Sequence, residues 1–235
     1  MAIKGILFDK DGTLIEANST WVPVYKAVLA KEMDADEDRV IELLSMAGYD
    51  KATDGFKAGS VLAAGTIGQL VDIWWPDFDV AAKREKVEKI NRDYANDARI
   101  YMKPLMDLVP VFDALHDMGM ILGVATNDIH SSATFHMQEL GVHDYFVQII
   151  GADNVDVPKP SGQMIALFAE RTGLQPHEIA MVGDNSHDME EAKNGGAGLA
   201  IGVLTGNAEH DDIAHLADHV LFSVADIPKL LKQLA

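Results

Sequence analysis

The chain has 235 residues, 48% of them hydrophobic, with 37 acidic against 19 basic side chains and a formal net charge of −18. That suits one large domain or a core plus a smaller one and excludes wholesale disorder, while the negative surface excludes general nucleic-acid binding because it repels phosphate backbones. The absence of cysteine excludes disulfides, thiol nucleophiles and zinc–thiolate sites. No apolar run is long enough to span a bilayer, and the opening "MAIKGILFDKDGTL" is too short in apolar residues for a signal peptide, so a soluble cytoplasmic protein without membrane contact is expected.

Residues 3–8, "IKGILF", read as a short buried strand. The pattern then turns helical. "STWVPVYKAVLAKEM" carries spaced apolar positions after a candidate cap at Ser19 or Thr20. "DEDRVIELLSMAGY" has acids at its start and Gly48 near its end. "DGFKAGSVLAAGTIGQLVDIWWP" suggests a loop and a further helix, and "VAAKREKVEKINRDYANDA" a charged, exposed one. No strand is expected in this block.

Beyond it, "LMDLVPVFDALHDMG" reads as a helix, with Pro110 as a difficulty. Strands and helices then alternate: "MILGVAT", "SSATFHMQELG", "YFVQIIG", "SGQMIALFAERTG", "EIAMVGD", "SHDMEEAKNGGA" and "GLAIGV", with "HVLF" and "VADIPKLLKQL" closing the chain. Such alternation predicts a mainly parallel, Rossmann-like α/β sheet. The first strand belongs with this set. The expected division is therefore a core of residues 1–15 and 101–235 with a smaller all-helical cap at 16–100.

Ligands bind at the carboxyl ends of strands in open parallel sheets. After the first strand come Asp9, Asp11, Gly12 and Thr13; after "MILGVA" come Thr126, Asn127 and Asp128. Lys159 follows the next strand, between two prolines, and Gly183, Asp184, Asn185 and Asp188 follow "EIAMV". Each group alone is ordinary: an Asx turn, a helix approach, a loop lysine, a helix cap. Their arrival at one sheet edge points to phosphoryl transfer. Clustered carboxylates call for a divalent cation, and an all-oxygen donor set favours magnesium. Lys159, the Thr126 hydroxyl and loop amides can then bind phosphate oxygens, with one acid attacking phosphorus and another moving protons.

The set "DKDGT", "ATN", "PKP" and "GDNSHD" resembles the four motifs of the haloacid dehalogenase superfamily. The helical insertion after the first motif, with "GVATND" and "AIGVLTG", resembles its phosphoglycolate-phosphatase-like branch. The resemblance implies a magnesium-dependent phosphatase of a small phosphorylated metabolite, acting as a monomer or homodimer. Asp9 would be the nucleophile and Asp11 the general acid and base. Thr126, helped by the amide of Asn127, would hold the phosphoryl group, and Lys159 would screen charge. Asp184 would bind magnesium with the Asp9 carboxylate and the Asp11 carbonyl, and Asp188 would support Lys159 or a metal-bound water. Lys10 departs from the apolar residue frequent between the two acids and receives no role.

A phosphomutase on the same scaffold is the alternative, since it needs the same acids. A dehalogenase would need neither magnesium nor a second acid, so Asp11 with Asp184 argues against it. In the inserted block, Gly55, Lys57 and Gly59 are either a substrate contact or a plain interhelical loop, and Trp74 and Trp75 read as core.

Overall fold

The computed structural model describes residues 3–94 and 97–234. Its strands, in chain order, are β1 (Gly5–Phe8), β2 (Tyr49–Asp50), β3 (Gly55–Phe56), β4 (Ile121–Ala125), β5 (Phe146–Ile150), β6 (Ile179–Gly183), β7 (Leu199–Val203) and β8 (His219–Leu221). Six form one sheet ordered β5-β4-β1-β6-β7-β8, with every neighbouring pair parallel. This is the expected Rossmann-like α/β arrangement. The chain starts in the middle of the sheet, moves outward to β5, then returns beside β1 to build the other half. The reversal falls between β1 and β6, where sheets of this kind leave a crevice at their carboxyl edge.

Strand periodicity divides the core in two. Ile6 and Phe8 point to one face with Leu122, Val124, Val182 and the helix Val109–Asp117, which contributes Phe112 and Leu115. Leu7 points to the other, with Met181 and the helix Gln163–Thr172, which contributes Ile165 and Phe168. Phe112 packs edge-on against Phe8 and Phe146, with ring centroids 5.6 and 5.1 Å away. Pro110 causes no break, because it sits in the first turn of its helix, where no amide partner is needed.

The chain divides into two compact units, Met1–Glu16 with Pro104–Ala235, and Ala17–Lys103. The second boundary falls three residues past the expected one. Within the second unit the expectation of no strand is corrected. Tyr49–Asp50 pairs antiparallel with Gly55–Phe56, because the Gly55 backbone lies against Asn18, whose side-chain oxygen accepts the Phe56 amide at 3.1 Å. The candidate cap at Ser19 or Thr20 is also corrected. The helix runs Ala17–Glu32 because the buried stripe Ala17, Thr20, Trp21, Val24, Val28 already begins at Ala17. Two short helices, Val61–Ala64 and Ile67–Trp74, replace the single one expected, parted at Gly65. The charged helix is described over Val80–Tyr94, and the expected continuation at 95–96 lies outside the described residues.

Trp74 and Trp75 are core residues, as read from the sequence. The Trp74 indole donates to the Leu43 carbonyl at 3.0 Å, and Lys86 stands 4.9 Å over the Trp75 ring. Gly55 is buried in β3, whereas Lys57 and Gly59 are exposed. Among the described residues no helix is long and apolar enough to cross a membrane.

Candidate active site

Register determines which residues meet. Phe8, the last residue of β1, pairs with Val124 on one side and with Val182 on the other, so β1, β4 and β6 end within one residue of one another. Asp9, Thr126 and Asp184 are the residues just beyond those ends. The Asp9 amide donates to the Val182 carbonyl at 2.7 Å, and the Thr126 amide to the Ile150 carbonyl at 3.0 Å, so both are held to the neighbouring strand.

After Asp9 the chain turns sharply. The Lys10 carbonyl accepts the amides of Leu14 at 2.9 Å and Ile15 at 3.1 Å. Gly12 adopts φ +85°, and a Cβ on it would stand 2.5 Å from the Asp184 carboxylate. Gly206 comes closer still from the loop after β7, since a Cβ there would overlap that carboxylate. Asp184 also accepts the Asn207 amide at 3.2 Å. Neither Gly206 nor Asn207 is among the expected site residues; the glycine three residues past that strand, in "AIGVLTG", is the available signal.

Lys159 is buried, and its ammonium donates to Asp9 Oδ1 and Asp188 Oδ1, at 2.6 Å each. Its backbone is clamped by Asn127, whose side chain accepts the Lys159 amide at 3.0 Å and donates to the Lys159 carbonyl at 3.2 Å. The expectation for Asn127 used only its backbone amide, so this side-chain role is new. Asp188 lies in the first turn of the helix Ser186–Gly195 and accepts the Asn185 amide at 3.1 Å through its other oxygen. Thr126 Oγ1 accepts the Asp128 amide at 3.1 Å, which leaves its hydroxyl proton as a donor.

The structure brings Asp9, Asp184, Asp188 and Lys159 together. One carboxylate oxygen from each of the three acids lies within 4.8 Å of the others, and all three acids are buried. The Asp11 carboxylate instead points to Lys10, at 2.7 Å. Burial pushes the Asp9 carboxyl up to about 7; Lys159 opposes this, and Asp188 and Asp11 add to it by repulsion. Burial, with repulsion from Asp9 and Asp188, also pushes Asp184 well above the usual carboxylate range. For Lys159, burial disfavours the charge, but Asp188 and Asp9 more than offset it and raise its pKa. Three buried acids around one ammonium leave two excess negative charges when all are ionised. A hard divalent cation fits that oxygen set and that charge.

The model of the haloacid dehalogenase-like hydrolases matches residues 3–196. Phosphoglycolate phosphatase of Salmonella typhimurium is 28% identical over 217 residues, covering 88% of this chain and 84% of that protein. Pyrophosphatase PpaX of Bacillus velezensis is 24% identical over 225 residues, covering 96% and 94%. The fold is also that of a hydrolase from Pseudomonas syringae, with a TM-score of 0.73, 19% identity and 99% of each chain covered.

Proposed function

Because the chain belongs to the haloacid dehalogenase-like hydrolases, we propose that it is a magnesium-dependent phosphatase that hydrolyses a small organic phosphate monoester through a phosphoaspartate at Asp9. It is a phosphoric monoester hydrolase. One observation supports the phosphoaspartate mechanism most: Lys159 bridges Asp9 and Asp188 inside a buried acid cluster at the crevice of the sheet.

Each residue then has a role. Asp9 Oδ1 is screened by Lys159, so an anionic phosphate can approach the other carboxylate oxygen for in-line attack. Asp11 gives a proton to the leaving oxygen and later takes one from the water that hydrolyses the phosphoaspartate. The Thr126 hydroxyl and the amide of Asn127 hold the transferring phosphoryl oxygens. Asp184 and the Asp9 carboxylate, with the Asp11 carbonyl, would hold magnesium, and Asp188 keeps Lys159 in place. When bound, the ion offsets repulsion between acids and phosphate and stabilises charge developing on the phosphoryl group.

Phosphoglycolate is the first substrate to test, since the Salmonella relative carries that name. The experiment is a panel of phosphate esters, pyrophosphate included, with and without magnesium. Release of inorganic phosphate from a small alkyl phosphate, abolished by chelation and restored by magnesium, supports the reading. Conversion of a sugar phosphate to its positional isomer without phosphate release would make the protein a mutase.

A further inference from the structure

Lys10 lies between the two motif aspartates, and its side chain is wholly buried. It does not face solvent. Its ammonium donates to Asp11 Oδ2 at 2.7 Å, to Asp128 Oδ2 at 3.2 Å and to His136 Nδ1 at 3.3 Å. An ammonium has three protons and no acceptor, so it meets these groups only as a donor. Its acceptors are themselves held. Asp128 accepts the Ile129 amide and the Ser132 hydroxyl, both at 2.7 Å, and its carbonyl accepts the Ala152 amide at 2.8 Å. His136 sits on the buried side of the helix His130–Glu139.

We propose that Lys10 is a positioning residue: anchored by Asp128 and His136, it fixes the Asp11 carboxylate by Oδ2, so that the catalytic proton travels through Oδ1. This rests on the reading of Asp11 as the acid and base. In the first half-reaction the Oδ1–H bond breaks and its proton goes to the leaving oxygen as the phosphorus–oxygen bond opens. In the second, Oδ1 takes a proton from the water that attacks the phosphoaspartate. A positive charge against Oδ2 keeps the proton off that oxygen. The same lysine also ties the turn after β1 to the loop after β4 that carries Thr126, so the acid and the phosphoryl-holding hydroxyl share one rigid frame.

The test is rapid-quench kinetics of phosphoaspartate formation, with magnesium present, on an alkyl phosphate and on p-nitrophenyl phosphate. The variants are Lys10→Met, Asp11→Asn and their double. Lys10→Met should slow the alkyl ester on the order of 10- to 10²-fold, the scale of a misplaced catalytic group. It should slow the nitrophenyl ester much less, because that leaving group needs little protonation. On the Asp11→Asn background it should lose nearly all of its effect on the alkyl ester. Asp128→Asn, which keeps the lysine but loosens its anchor, should show the same pattern at smaller size and answers the question if Lys10→Met does not fold. Equal slowing of both esters, no slowing, or an undiminished effect on the Asp11→Asn background would overturn the proposal. If Asp11→Asn itself slowed both esters alike, the acid role of Asp11 would fall first, and this proposal with it.

Discussion

Lys159 donates to Asp9 across 2.6 Å, although 150 positions separate them in the chain. The same ammonium reaches Asp188 at the same distance. In the proposed mechanism, removing it takes away the cation that would screen Asp9 from the incoming phosphate. Lys159→Met should lower kcat/KM by about 10²- to 10³-fold, the loss typical of one transition-state donor. The magnesium needed for half-maximal activity should not rise, because a positive neighbour of the metal site has gone. Steady-state kinetics across a magnesium titration checks both.

Asp188 acts one step further out. Asp188→Asn keeps the size of the side chain but weakens the hold on Lys159, so activity should fall by roughly 10- to 10²-fold, as for supporting groups around metal sites. Circular dichroism should stay that of the native protein, since an amide oxygen can still accept the Asn185 amide.

Gly206 lies against Asp184, the proposed magnesium ligand. A methyl group there would overlap the Asp184 carboxylate and force it aside. Gly206→Ala should raise the magnesium concentration for half-maximal activity by about 10- to 10²-fold. Saturating magnesium should restore much of the rate. Unchanged magnesium dependence would show that Asp184 is not a ligand.

Much of this site could be read in the sequence, and the reason is topological. Once β1, β4 and β6 are recognised as parallel neighbours, whatever follows each strand reaches the same edge, which places Asp9, Thr126 and Asp184 without knowledge of any side-chain contact. What escaped the reading depended on pairings between distant segments. Lys10 meets His136 over 126 positions, and no local pattern marks that partner. Asp184 is hemmed in by Gly206 from another strand's loop. The β2–β3 hairpin has two residues per strand, too few for an alternating pattern to register. Ser19 and Thr20 had cap-type side chains, but burial of Ala17 set the helix start.

The core makes a prediction of its own. Phe112 is fully buried and packs its ring against Phe8, directly before Asp9, and against Phe146. Phe112→Ala should cost about 3 to 5 kcal/mol of stability, the range for an aromatic removed from a packed interior. Chemical denaturation of the variant beside the native protein measures it.

Single-turnover trapping asks whether Asp9 is the nucleophile. The protein is mixed with magnesium and a phosphate ester radiolabelled at phosphorus, quenched in acid within one turnover, digested and mapped. Label is expected on the peptide containing Asp9, released by hydroxylamine as an acyl phosphate is, and none in Asp9→Asn. Turnover by native protein with no trapped label at any quench time, together with substantial turnover by Asp9→Asn, would contradict it.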